Sequence, residues 1–99
     1  MEISSGKPYT QVEVFGSDGD YILREFSSDV DVSELVWHRD KQSRNVTVLQ
    51  GEGWKIQMDN SLPEELEKGN NYYIPKMEYH RLIKGTGSLL LQIKENKYD

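Results

Sequence analysis

The feature that most constrains the fold of this chain is the alternation of apolar and polar residues in short runs. No apolar run is longer than three residues, and turns rich in glycine or proline separate the runs. Trp54, Ile56 and Met58, for example, alternate with polar residues. Residues i and i+2 of a strand share a face, so this pattern predicts strands with one buried face. The sequence therefore predicts an all-β fold with little or no helix.

About eight or nine short strands are predicted. They cover residues 9–15, 21–26, 34–39, 45–50, 54–58, 71–74, 79–83 and 88–94. The segment 60–68 has helix-forming residues, but it is short and contains Pro63, so we expect one helical turn or an irregular strand there. Short strands with turns every 8–12 residues are typical of a sandwich or a barrel, in which few sheet edges stay open.

Length and charge narrow the class of protein. The 99 residues fit one domain, and we expect it to span 1–99 with its core at about 7–94 and a short charged tail. The net charge of −5 argues against nucleic-acid binding, which needs surplus lysine and arginine. It argues equally against a basic membrane-binding patch, and no apolar run is long enough to span a bilayer.

The absence of cysteine removes several kinds of chemistry. A thiolate nucleophile, a cysteine-based metal site and a disulfide framework are all excluded. The first ten residues also lack the basic and then apolar pattern of a signal peptide. We therefore expect a cytoplasmic protein.

The two histidines lie in segments with an unusual density of charged and aromatic residues. His38 follows a tryptophan, Asp40 comes two residues later, and Arg44 four residues after that. If the strand over 34–39 continues, His38 and Asp40 share a face and Arg39 points the other way. The second histidine, His80, lies in "GNNYYIPKMEYHRLIKG".

Both segments resemble the two motifs of the cupins. The first cupin motif reads G-x5-H-x-H-x3-E-x6-G, and the second reads G-x5-P-x-G-x2-H-x3-N. The corresponding positions here are His38, Asp40, Arg44 and Gly51, and then Gly69, Pro75, Met77, His80 and Lys84. Five of them have the residue of the motif: His38, Gly51, Gly69, Pro75 and His80.

The resemblance covers about residues 7–94 and is to small single-domain cupins, often phage-encoded and uncharacterised. It implies an RmlC-like jelly roll, a double-stranded β-helix. Gly51 and Gly69 are expected where strands turn sharply, since glycine tolerates positive φ.

The departures from the motifs concern the metal ligands. Cupins of the usual pattern hold a divalent metal with three histidines and a glutamate, whereas this chain has Asp40 and Arg44 at two of those places. In one interpretation His38, Asp40 and His80 hold Fe, Mn, Ni or Zn, a ligand set that suits non-haem Fe(II). Arg44 would then bind the carboxylate of a small anionic ligand.

In a second interpretation no metal binds, and an Asp40–Arg44 pair replaces it in a ligand-binding or accessory module. A guanidinium about 4 Å from a dication is repelled by roughly 8 kcal/mol at an effective dielectric constant of 20. Arg44 can therefore accompany a metal only if it points away or an anionic group lies between. In a third interpretation the histidines are purely structural.

The reaction, if there is one, is left open by these residues. The resemblance favours Fe(II)-type oxygenase chemistry. A weaker likeness of Lys7-Pro8-Tyr9 to sugar-phosphate isomerases suggests a phosphosugar pocket, lined by Arg44, Arg81 and Lys84. Small cupins commonly pair through sheet edges, so a homodimer is expected.

Overall fold

The computed structural model describes residues 7–98 as two antiparallel β-sheets. The strands are β1 (Thr10–Val14), β2 (Tyr21–Phe26), β3 (Arg44–Glu52), β4 (Lys55–Met58), β5 (Glu64–Glu65), β6 (Asn71–Ile74), β7 (His80–Ile83) and β8 (Thr86–Glu95). One short 3-10 turn, Val32–Glu34, precedes β3. The all-β prediction is confirmed, and the segment 60–68 contributes only the two-residue strand β5.

The larger sheet has five strands in the order β1-β2-β8-β3-β6. β8 is its centre and pairs with β2 on one side and β3 on the other. Alternation puts Leu89, Leu91 and Ile93 of β8 on the inner face, where each is nearly inaccessible to solvent. This strand therefore forms the floor of the core.

The smaller sheet has the order β5-β4-β7. Its inner face brings Ile56 of β4 to the core, and the preceding Trp54 is fully buried. The indole ring of Trp54 lies 6.0 Å from the ring of Phe26 in the larger sheet. The two sheets thus share one hydrophobic core, as a jelly roll requires.

The strand predicted over 34–39 is wrong. Asp31 accepts a hydrogen bond from the backbone N–H of Ser33 at 2.9 Å and so caps the 3-10 turn. This local bond competes with strand pairing. Within the segment 34–39, only His38 pairs as in a sheet, through an isolated bridge to His80.

Gly51 lies inside β3 and does not end it, which corrects the expected turn. The register between β3 and β8 shifts on either side of Gln50, as in a β-bulge. A Cβ at Gly51 would lie 2.6 Å from Cδ1 of the buried Leu89, so close approach is the reason for glycine there. Gly69, by contrast, has φ of 90° in the turn before β6, as expected.

Within residues 7–98, none of the helical structure has the length and apolar character needed to cross a membrane.

Candidate metal centre

A cavity of about 300 Å³ lies between the two sheets. Its walls are mainly aliphatic and aromatic side chains from both sheets, among them Phe26, Val46, Ile56, Leu66, Ile74, Leu82, Leu91 and Ile93. Charged and polar groups come in part from the segments predicted to carry the site, namely His38, Asp40, Arg44 and His80, and in part from Lys7, Arg24 and Glu34. Its size is at the lower end for ligand pockets, so it suits a small molecule.

The two histidines face each other because their backbones pair. His38 N donates to His80 O at 2.9 Å, and His80 N donates to His38 O at 2.8 Å. Residues paired in this way point their side chains to the same side of the sheet. The imidazole rings accordingly lie 4.4 Å apart, centre to centre, with 62° between their planes.

The turn before His80 ties the two histidine segments together. Met77 N donates to Asp40 O at 2.7 Å. Met77 stands where the cupin motif has glycine, and its φ of 64° is the left-handed conformation that glycine would adopt without strain. The backbone at Met77 thus has a conformation that favours glycine, the residue that the motif has at this position.

Each imidazole uses its Nδ1 on a backbone carbonyl. His38 Nδ1 lies 3.0 Å from Val36 O, and His80 Nδ1 lies 2.9 Å from Glu78 O. A carbonyl only accepts, so Nδ1 carries the proton in each ring and a neutral ring keeps a lone pair on Nε2. Such a bond to the non-ligating nitrogen is the usual support of a metal-binding histidine.

Asp40 supplies the third group. Its Oδ2 lies 3.3 Å from His80 Nε2, and one ligand atom from each of His38, Asp40 and His80 lies within 4.8 Å of the others. Two ligand atoms that share a metal are about 3–4 Å apart, given bonds of roughly 2.0–2.2 Å. Small side-chain movements would therefore bring all three groups to one ion.

Burial differs sharply among the three groups. The side chains of His80 and Asp40 are 4% and 10% exposed, whereas His38 is exposed to solvent. The triad thus runs from the interior of the cavity to its surface. An ion held there would be protected on one side and open on the other.

Arg44 lines the same cavity, but other residues occupy its guanidinium. Nε and Nη2 donate to Glu95 Oε2 at 3.1 and 2.7 Å. Nη1 lies 3.4 Å from Asp40 Oδ1. The carboxylate of Asp40 therefore lies between Arg44 on one oxygen and His80 on the other.

Opposing effects act on the pKa of Asp40. Burial raises it, but a hydrogen bond from His80 Nε2, which requires a proton on that nitrogen, and the positive charge of Arg44 outweigh burial, so the pKa lies below its ordinary value. Asp40 is therefore ionised at neutral pH, which is the form that binds a metal.

Two of the cations predicted to line an anion pocket lie elsewhere. Arg81 stacks on Trp37 at 4.9 Å and donates to Gln57, and Lys84 donates to the carbonyl of Val30. Lys7 and Arg24 do line the cavity. The sequence analysis did not include Arg24 among the site residues. A signal for it exists in the sequence, since Ile22, Arg24 and Phe26 lie two residues apart and so share one face of β2.

No protein-family model matches the sequence, and neither does any curated protein sequence. Solved structures do match. A cupin-2 domain containing protein from Shewanella frigidimarina is 17% identical with a TM-score of 0.67, covering 91% of this chain and 83% of its own. An RmlC-like cupin from Methanocaldococcus jannaschii is 11% identical with a TM-score of 0.66, covering 95% and 86%.

A third structure, Fe(II) HppE, is 16% identical with a TM-score of 0.71. The match covers 91% of this chain and 52% of that one. At these identities the likeness concerns the fold, and it agrees with the two-sheet arrangement described above. The chain is thus a small β-protein with the cupin jelly-roll fold.

Proposed function

We propose that this protein binds a divalent metal ion through His38, Asp40 and His80, at one end of a cavity that takes a small anionic ligand. Two histidines and one carboxylate with open positions are typical of non-haem Fe(II) oxygenases. Oxygenase-type chemistry on the bound ligand is therefore the activity that we propose. An ion there would supply a Lewis acid and a binding place for oxygen.

One observation carries this proposal. Asp40 Oδ2 is buried and has no hydrogen-bond partner among residues 7–98, although it faces His80 Nε2 at 3.3 Å. With Nδ1 of His80 donating to Glu78 O, a neutral ring turns a lone pair toward that oxygen. Two acceptors in contact inside a protein are unfavourable. A cation between them removes the conflict.

The arrangement of Arg44 is compatible with a metal. A guanidinium close to a metal ion repels it, so an anionic group must lie between Arg44 and the ion. Asp40 is that group, and Glu95 also neutralises the guanidinium at 2.7 Å. We propose that Arg44 holds Asp40 in place, while its predicted contact with a ligand carboxylate stays a prediction.

One structural neighbour supports the proposal of a metal. Fe(II) HppE is by its name an iron protein and has a similar fold. This shows that a chain with such a fold can carry Fe(II). The choice among Fe, Mn, Ni and Zn rests on the ligand set, which favours iron.

A metal-free module is the second candidate, favoured by the ion pair between Asp40 and Arg44. In that case a proton resolves the contact between Asp40 Oδ2 and His80 Nε2, and His80 is an imidazolium that donates to the carboxylate. The cavity would then bind a ligand without metal. The homodimer and the cytoplasmic location stay predictions.

The experiment is calorimetric titration of EDTA-treated protein with Fe(II) and Mn(II) under argon. We expect one ion per chain, and at least about a hundredfold weaker binding in Asp40→Asn, because the variant loses a charged ligand. Asp59→Asn is the matched control, since Asp59 is exposed and lies outside the cavity. Equal affinities in the two variants, or no binding by the wild type, would reject the metal site in favour of the metal-free module.

A further inference from the structure

Arg24 holds a strand position that normally carries an apolar residue. In β2, Ile22, Arg24 and Phe26 share one face and lie opposite Ile93, Leu91 and Leu89 of β8. All three partners in β8 belong to the buried core. Arg24 is therefore directed inward, and it lines the cavity.

The guanidinium of Arg24 lacks an acidic partner. No carboxylate within residues 7–98 forms an ion pair with it. Nε and Nη2 both donate to the same oxygen of Gln11, at 3.0 and 2.8 Å, and the group stacks on Tyr9 at 3.9 Å. Inward-facing charges are normally paired, so the unpaired Arg24 suggests a missing anion.

The neighbouring charges do not fill this role. Asp40 and Glu95 are engaged with Arg44, whose Nε and Nη2 are thereby used. Glu34 also lines the cavity, but it forms no ion pair with Arg24 among the residues that the structure describes. Of the two arginines that line the cavity, Arg24 is the one whose Nη1 has no hydrogen-bond or ion-pair partner in the described part of the chain. Burial lowers the pKa of Arg24 from its ordinary value, which an anion would reverse.

We propose that Arg24 anchors the carboxylate of a small, otherwise apolar acid in this cavity. Arginine binds a carboxylate well because its planar donors match both oxygens. The apolar walls, such as Ile56, Leu91 and Ile93, suit a hydrocarbon body, and about 300 Å³ limits it to a short one. This inference rests on the proposed function in using the same cavity, and it places the acid group at Arg24.

The test is an NMR titration of the ¹⁵N-labelled protein with pentanoate, pentanamide and inorganic phosphate. All samples contain EDTA, so that a metal contributes nothing and failure of the metal site leaves this test intact. We expect pentanoate to shift resonances of cavity residues and to bind at least about tenfold more tightly than the neutral pentanamide, because the hydrogen bonds become charge-assisted. Phosphate, which has no apolar body, should bind more weakly than pentanoate.

Arg24→Met should weaken pentanoate binding at least about tenfold. Arg81→Met is a closely matched control, since Arg81 also stacks on an aromatic ring and donates to a glutamine, but outside the cavity. It should change the affinity less than about twofold. Arg24→Lys keeps the charge but not the planar donors, and it should give an intermediate affinity.

Three results would overturn the proposal: no pentanoate binding by the wild type, unchanged binding in Arg24→Met, or equal binding of pentanoate and pentanamide. The last comparison needs no variant, so it decides even if Arg24→Met does not fold. A separate titration without EDTA and with added Mn(II) distinguishes the two proposals: pentanoate binding that appears only there and is unchanged in Arg24→Met would place the acid group at the metal, which contradicts this inference and leaves the proposed function standing.

Discussion

Replacing Arg44 with methionine tests whether the ion pairs of Arg44 with Asp40 and Glu95 hold Asp40 in place. Arg44 and Asp40 are 16% and 10% exposed, with 3.4 Å between Nη1 and Oδ1. Glu95, on the other side, is 31% exposed at 2.7 Å. At an effective dielectric constant of 20, two unit charges 3.4 Å apart attract by about 5 kcal/mol before desolvation is subtracted. The substitution leaves both carboxylates without their cation.

The net cost is smaller than this attraction. Removing one partner of a buried pair costs about 3–5 kcal/mol, whereas an exposed pair contributes at most about 1 kcal/mol. Because Glu95 is partly solvated, we expect Arg44→Met to lower the free energy of unfolding by about 2–4 kcal/mol. For a domain of this size the melting temperature should fall by roughly 10–25 °C.

The assay is urea unfolding and thermal melting in EDTA, followed by melts with Ni(II) after the EDTA has been removed. Arg39→Met is the control, since Arg39 is exposed and only stacks on Tyr79 at 5.1 Å; it should cost less than about 1 kcal/mol. Ni(II) should stabilise Arg44→Met more than the wild type, because the ion then neutralises Asp40 in place of the arginine. If both variants lose the same stability, the ion pairs of Arg44 with Asp40 and Glu95 do not hold Asp40 in place.

Two other predictions concern positions around the site. Met77→Gly should leave the free energy of unfolding unchanged or raise it by up to about 1 kcal/mol, because relief of the left-handed strain at φ 64° outweighs the added entropy of the unfolded chain. A clear loss of stability in urea unfolding would show that packing of this half-exposed side chain matters more. Hydrogen bonds from the backbone and hydroxyl of Ser33 hold the pKa of Asp31 below its ordinary value of 3.8. The stability that ionised Asp31 adds is therefore present above about pH 4 and lost as the pH falls through the lowered pKa. The difference in melting temperature between wild type and Asp31→Ala should narrow in acid, and a constant difference would contradict this.

The proximity of the two histidine segments could be predicted from the sequence, but the backbone contacts that produce it could not. Alternation and the spacing of the cupin motifs predicted an all-β roll in which His38, Asp40 and His80 approach one another. The strand assumed for 34–39 is absent, because the cap at Asp31 favours a turn. His38 nevertheless reaches the sheet through its two backbone bonds to His80, which local sequence patterns do not reveal.

The role of Glu95 could not be predicted from its neighbourhood in the sequence. It lies at the start of what reads as a charged tail, yet the alternation of β8 continues inward from Leu91 and Ile93 to Glu95. The register between β3 and β8 then places Glu95 directly opposite Arg44. Cross-strand register over 51 residues is a long-range property, so only the folded chain shows that Arg44 is neutralised.

The most direct test of the metal site is anomalous diffraction from crystals grown with Mn(II) or Ni(II). We expect one peak bound by Nε2 of His38, Oδ2 of Asp40 and Nε2 of His80, with bonds of roughly 2.0–2.3 Å. A peak at other residues, or no peak with Asp40 Oδ2 still 3.3 Å from His80 Nε2, would contradict it.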